Sequence, residues 1–212
     1  VAAGFGAGAG VAVSGAGAVA TNIILTRTNT YVAGSNIVRA GSVTLEAKDT
    51  SSITAVVDAS SAALAGAAGV GIGVSIGSSV ARNLIGYDLF GQHKPAQVRA
   101  YVSNSNITAS GALTLKAFAD ESINATVTSG SSAVSGGLLG VAVSGSGVLA
   151  INRISTDVMA YIDGSTIDAG SIALTASDTS IIKADGGAAA IAASFGAVGV
   201  AISLGKALAL NE

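Results

Sequence analysis

The sequence repeats one short pattern four times. Each copy has a Ser that follows Val or Ile, an Ala six residues later, and an Asn two residues after that Ala. The four asparagines are Asn22, Asn83, Asn152 and Asn211, spaced by 61 (83−22), 69 (152−83) and 59 (211−152) residues. Arrays of this period stack supersecondary units that bury a core only against their neighbours. We therefore predict one repeat array, with units of approximately 1–59, 60–129 and 130–188 and a partial unit at 189–212.

The amino-acid composition argues against several classes of protein. Half of the residues are apolar and only 10% are charged, against roughly 25% in typical soluble domains. The 29 glycines show no three-residue period, which excludes collagen. A net charge of −2 without a basic stripe argues against a nucleic-acid partner. The absence of cysteine excludes thiolate metal sites and disulfides.

Four apolar segments, at roughly 1–26, 59–81, 130–152 and 186–211, alternate with period two. Between 69 and 83, for example, one set of alternating residues is almost entirely Gly, Ser and Ala, and the other is mainly Val and Ile. Side chains of a strand alternate between faces, so this pattern predicts strands with one small and one bulky face. Because neither face is clearly polar, we expect these Ala/Gly-rich strands to be buried on both faces. The bulky face would fill a core, and the small face would allow close approach of another sheet or molecule.

The intervening segments are more polar and read as coils of a parallel β-solenoid. Each starts at a tyrosine, continues through short alternating strands, and turns at an aspartate. The tyrosines are Tyr31, Tyr101 and Tyr161, and the aspartates are Asp49, Asp120 and Asp178. We expect the tyrosines to form one row and the repeated asparagines another. The predicted fold is therefore all-β, a parallel β-solenoid (β-helix) of ~60-residue repeats.

The second unit is longer because of an insertion at approximately 86–97, which we expect to be an external loop. It holds His93, the only histidine, and Pro95, the only proline. A metal site or a nucleophilic triad on His93 would need partner side chains that the sequence does not supply. We interpret His93 as a loop residue.

Other candidate sites also favour structural interpretations. The recurring aspartates could form a calcium ladder, but no GGxGxDxUx nonapeptide occurs, and Asp favours turns. The asparagine row could bind a ligand, but a stacked amide ladder or turn caps fit better, because buried amides need partners. Asn106 and Asn124 match the glycosylation sequon, a weak signal. We predict no catalytic residues, no metal and no cofactor.

Two other functional classes are alternatives to a structural role. A β-helix polysaccharide lyase or hydrolase needs clustered Asp, Arg or Lys and aromatic residues that stack on sugars; the charges here are scattered and Trp is absent. A membrane-embedded pore or barrel-forming protein is the remaining alternative, because the apolar segments approach 20 residues. Strict period-two alternation argues against membrane helices, and the few aromatic residues argue against a transmembrane barrel.

The segment Ala160–Asp178, which reads AYIDGSTIDAGSIALTASD, and the Ala/Gly-rich stretch that follows resemble a known family. They look like the β-strand repeats of giant bacterial secreted proteins, the leukotoxin-like filamentous adhesins and autotransporter passenger repeats. The resemblance covers essentially the whole chain. It implies a solenoidal, extracellular or cell-surface stalk for adhesion or surface coating, and it transfers no catalytic residues.

Together, these observations predict a non-enzymatic structural segment of an extracellular filament or adhesin stalk. Both ends of the sequence fall inside the repeated apolar pattern, so we expect copies of the chain to be its partners, end to end or laterally. The sequence does not identify a host-surface or matrix target. The chain would then be either a self-assembling subunit or part of a longer array.

Overall fold

The computed structural model describes all residues from Val1 to Glu212 and contains strands but no helix. The strands are β1 (Ala2–Gly6), β2 (Ala9–Ile24), β3 (Arg27–Ala33), β4 (Asn36–Ala40), β5 (Val43–Asp49), β6 (Ser52–Ala67), β7 (Val70–Ile85), β8 (Ala96–Ser103), β9 (Asn106–Ala119), β10 (Ser122–Gly136), β11 (Leu139–Ile154), β12 (Thr156–Asp163), β13 (Thr166–Asp178), β14 (Ile181–Phe195) and β15 (Val198–Asn211). The prediction of an all-β chain is confirmed.

The strands form four parallel sheets, and every strand pairs only with its counterpart in a neighbouring repeat. The first sheet has the order β15-β11-β7-β2, and the second has β12-β8-β3. The third has β13-β9-β4, with β5 also paired to β9, and the fourth has β14-β10-β6-β1. The chain passes through the sheets in this order and then enters the next repeat.

The register between repeats is constant in the first sheet. Ser14, Ser75, Ser144 and Ser203 are direct partners across the first sheet, as are the four repeated alanines and the four repeated asparagines. The 69-residue spacing does not disturb this register, because the additional residues lie between β7 and β8. Residues 86–95 form this insertion loop, and Ala96 and Gln97 already belong to β8.

Residue size in the interior increases from one end of a repeat to the other. The fourth and first sheets face each other, and the residues nearest the turn between them are small, such as Ala63, Ala65 and Gly71. Valines and alanines follow, then a cluster that includes Ile53, Ile85 and Ile123. The largest cluster lies between the second and third sheets. The cross-section therefore widens as the side chains grow.

The small residues of the first sheet allow the fourth sheet to approach unusually closely. A Cβ atom added to Gly71 would lie 2.4 Å from the Gly136 carbonyl oxygen, and one added to Gly73 would lie 2.8 Å from that of Val134. Farther along, the Ser61 and Ser75 hydroxyl oxygens are 2.7 Å apart across the two sheets. The close contact expected for the small face is therefore made within the chain.

The expectation that these strands are buried on both faces is wrong for the chain itself. Only the small face of the first sheet points inward, and the bulky face points outward. Val13 is 66% exposed, Ile76 58% and Leu204 71%. The physical reason is the gap between the first and fourth sheets, which is narrow near the turn that joins them and there admits Gly, Ala and Ser; Val57, Val127 and Val148 are buried only farther from that turn.

The corner between the second and third sheets repeats a strained position. Gly34, Asn104 and Gly164 all have positive φ, at 56°, 45° and 55°. Glycine and asparagine tolerate this left-handed conformation better than other residues. The next residue is always Ser, and the Ser105 backbone N–H donates to the Ser165 hydroxyl at 3.0 Å. The backbone conformation of this turn and the serine that follows it thus recur in each repeat.

Candidate functional site

The repeated asparagines form a hydrogen-bonded ladder inside the molecule. The Nδ2 atom of Asn22 donates to Oδ1 of Asn83 at 2.8 Å, Asn83 donates to Asn152 at 2.8 Å, and Asn152 donates to Asn211 at 2.9 Å. Asn83 and Asn152 are fully buried. Each interior amide donates to one neighbour and accepts from the other, which leaves these groups engaged with each other instead of facing a ligand.

The tyrosines lie on the outer face of the second sheet and stack on each other. The ring centroids of Tyr31 and Tyr101 are 5.2 Å apart, and those of Tyr101 and Tyr161 are 5.0 Å apart with nearly parallel planes. Near them, Arg99 forms a salt bridge with Asp157 of the next repeat. This hydrogen bond raises the pKa of the Arg99 guanidinium above its usual value. The three tyrosines therefore form a short aromatic ladder on the protein surface, with Tyr31 exposed at its end.

The three aspartates do not form one row. Asp49 and Asp178 both pair with Ala119, so Asp120 lies one residue out of their register. Oδ1 of Asp49 accepts from the backbone N–H and the hydroxyl of Ser51, and Asp178 does the same with Ser180. These two aspartates cap turns. The predicted recurrence of an aspartate at this corner is wrong for the middle repeat.

The middle repeat instead places a buried glutamate at this corner. Glu121 occupies the position of Ser51 and Ser180, and it is fully buried with neither carboxylate oxygen hydrogen-bonded. Burial, followed by the nearby charges of Asp49 and Asp178, raises the pKa of Glu121 to about 7. Asp-Thr-Ser at 49–51 and 178–180, against Ala-Asp-Glu at 119–121, was the sequence signal for this exchange.

The insertion loop packs back on the molecule through aromatic and polar contacts. Nε2 of His93 lies 2.5 Å from the Ser155 hydroxyl, and the His93 ring meets Tyr87 edge-on. The Arg153 guanidinium lies 5.6 Å above the Tyr87 ring. Asp88, the loop carboxylate, accepts the backbone N–H groups of Phe90 and Gln92. A catalytic triad needs a carboxylate hydrogen-bonded to the second ring nitrogen of the histidine, and His93 has none. The contact between His93 and Ser155 therefore anchors the loop.

A polar cleft lies beside this loop, lined by Arg27, Asp88, His93, Lys94 and Gln97 among others. Its lining residues are exposed or half-buried and belong to the loop, to the connection between β2 and β3, and to the second sheet. No three imidazole, thiol or carboxylate groups in the chain lie close enough together to share a metal ion. No helix is present that could cross a membrane.

The outer face of the first sheet is the largest apolar feature of the surface. Its outward residues are mainly aliphatic in all four strands, and those more than half exposed are Val11, Val13, Val19, Ile76, Val198, Ile202 and Leu204. We call this surface the outer aliphatic face. No family model, curated protein or solved structure matches the chain, so these local features carry the functional argument.

Proposed function

We propose that this chain is a non-enzymatic structural segment of an extracellular filament or adhesin stalk, folded as a parallel β-solenoid of ~60-residue repeats. The observation that carries the proposal is the pairing of equivalent residues between repeats, in a register that is constant in the first, second and fourth sheets. A unit that pairs only with copies of itself can be extended indefinitely by adding units. The resemblance to secreted adhesin repeats supports the same role and an extracellular location.

The exposed edges of the sheets offer a route to self-association. The backbone N–H of Val198, the first residue of β15, donates to the Leu138 carbonyl, and that of Glu212, which follows β15, donates to the Asn152 carbonyl. Because bonding alternates along a parallel strand, even-numbered residues of β15 bond to β11 and odd-numbered N–H groups point away from the sheet. Such an unpaired edge templates another strand. The opposite edge, β2, can meet it in a following copy.

Electron microscopy and fibre diffraction of the purified chain test this proposal. We expect unbranched filaments with a 4.7–4.8 Å reflection along the filament axis, since strands would stack in that direction. The variant Ala207→Pro removes one N–H that points away from the sheet, so we expect it to stop growth while keeping the fold. Leu208→Pro is the matched control, because it removes a bond to β11 and destabilises the chain itself.

Two outcomes would contradict self-association through the sheet edges. Filaments that form equally well with Ala207→Pro would show that growth does not use the β15 edge. A chain that stays monomeric at every concentration, without ordered assemblies, would exclude self-assembly and leave only a passive spacer.

A further inference from the structure

The outer aliphatic face has no partner within the chain. It extends along β7 from Val70 to Val80 and over the paired residues of β2, β11 and β15. Lys206 is its only charged residue. Beyond Val80 the insertion loop closes the face, since Gly91 lies beside the side chains of Arg82 and Arg153 and Leu84 is fully buried.

The size of this face fits a stable dimer. Eleven residues at ~3.3 Å each and four strands at ~4.8 Å each give about 36 Å by 19 Å, or roughly 700 Å² per copy. Two such faces in contact would bury about 1,400 Å² in total, within the range of specific protein interfaces. Contiguous apolar patches of this size are uncommon on monomers.

Four glycines interrupt the bulky pattern of this face without a reason inside the chain. Gly15, Gly17, Gly145 and Gly147 point outward, and none has a positive φ. A Cβ atom at Gly145 or Gly147 would meet nothing within 4 Å. Glycine in a strand is less favourable than alanine, and it often marks close approach by another molecule. These four positions are dents in an otherwise bulky surface.

Dents and projecting side chains alternate within a single row. Across the sheet, this row reads Leu204, Gly145, Ile76 and Gly15 from β15 to β2. A two-fold axis in the plane of the face, parallel to the strands and between β7 and β11, reverses this order in the second copy. Ile76 then faces Gly145 of the other copy, and Leu204 faces its Gly15. In the next row, the same rotation places Lys206 opposite Gly17 of the other copy and Ser78 opposite its Gly147.

From this self-complementarity we infer that two copies of the chain pack laterally, outer aliphatic face against outer aliphatic face, with Ile76 of each seated over Gly145 of the other. A lipid surface would not require alternating dents and projections in register. Lys206 lies at the β15 edge, where its ammonium group can extend to solvent. The inference extends the proposed self-association to a second surface, independent of the β15 edge.

The test uses the Ala207→Pro chain, in which end-to-end growth is blocked, and measures the monomer–dimer equilibrium by analytical ultracentrifugation. Gly145→Ile should weaken dimerisation at least tenfold, because two isoleucines then collide, and the thermal midpoint should be unchanged or higher. Ile76→Gly should also weaken it at least tenfold. The double variant exchanges projection and dent, so it should recover most of the lost affinity. Val56→Lys, on the outer face of the fourth sheet, is the control and should have no effect.

The inference is overturned if the Ala207→Pro chain is monomeric, or if the folded double variant dimerises no better than the single variants. Monomers that float with phosphatidylcholine vesicles would also overturn it and assign the face to lipid. Filament formation by the unmodified chain is scored separately, so failure of lateral pairing and failure of end-to-end growth are distinguishable.

Discussion

At the scale of single residues, the chain satisfies its buried asparagines with the equivalent residue of the next repeat. The asparagine ladder satisfies both the donor and the acceptor of Asn83 without water. A buried polar group left without a partner costs about 1–3 kcal/mol. Repetition of the same residue is thus a simple way to satisfy an interior amide, since each repeat brings the complementary group at the correct height.

Substitution of the ladder tests this account. Asn83→Ala removes the acceptor for Asn22 and the donor to Asn152, so we expect the free energy of unfolding to fall by about 2–4 kcal/mol. Asn22→Ala, at the edge of the ladder, removes only one bond and should cost less than half as much. Chemical denaturation of both variants measures the difference, and equal losses would contradict a cooperative ladder.

Glu121 makes stability depend on pH in an unusual direction. Its pKa is about 7 in the folded protein against an ordinary value of 4.5. Between these values the folded chain keeps a proton that the unfolded chain has released, so stability falls as pH rises through this window. We expect Glu121→Gln to be more stable than the unmodified chain above pH 7, by up to about 3 kcal/mol, and similar to it below pH 4.5.

Denaturation at several pH values measures this effect. The exposed Glu46, changed to Gln, serves as the control and should leave the pH profile unchanged. Asp178 contributes with the opposite sign: burial raises its pKa, but hydrogen bonds from Ser180 and Thr156 outweigh burial and lower it. Its contribution is present above pH 3.8 and is lost as pH falls through the folded pKa. A profile that rises between pH 4.5 and 7 would contradict the role given to Glu121.

At the scale of strands, the two faces of the first sheet have opposite tolerance to larger residues. Gly73 faces the Val134 carbonyl oxygen of the fourth sheet, whereas Gly145 opens to the outside. We expect Gly73→Leu to destabilise the chain by at least about 3 kcal/mol through overpacking. Gly145→Leu should be neutral or slightly stabilising in the monomer. Thermal unfolding of this pair is the measurement, and similar midpoints would mean that the sheets are not in close contact.

The sequence predicted the alternation of these strands but not which face points inward. Period two assigns Gly73 and Val74 to opposite faces, yet hydrophobicity favours a core of valines, and the structure has the reverse. The deciding factor is the distance between the first and fourth sheets, a tertiary quantity that no single strand encodes. The same limit applies at the aspartate corner, where Ala119 and not Asp120 pairs with Asp49 and Asp178, a one-residue difference that the sequence alone does not reveal.

At the scale of the whole molecule, the insertion loop contributes no strand to the four sheets. The equivalent connections in the other repeats are only Leu25-Thr26 and Ser155. We expect replacement of residues 86–95 by a single Ser, the length of the connection at Ser155, to keep the fold and the register of β8, with a loss of no more than about 1–2 kcal/mol from the exposure of Leu84. Circular dichroism and thermal unfolding measure this, and loss of the β-sheet spectrum would show that the loop is required for folding.

The repeat frame was the part most accessible from sequence. The positions of Tyr31, Tyr101 and Tyr161 were evident from constant offsets, because identical residues in a periodic chain meet when the repeats stack. The contacts of the loop were not accessible, since His93 meets Ser155 across two repeats and neither residue recurs at its position. Features that repeat can be read from one sequence, whereas features that occur once need coordinates.

Since all four sheets are parallel and pair only between repeats, their backbone hydrogen bonds are aligned with the direction in which the repeats stack. A pull along that direction therefore loads every bond between two adjacent repeats at once, in tension and not in shear. Rupture would occur between repeats and leave each unit's covalent path intact. The force that the molecule withstands is consequently set by its weakest interface between adjacent repeats. Additional repeats would make the molecule longer without raising this force.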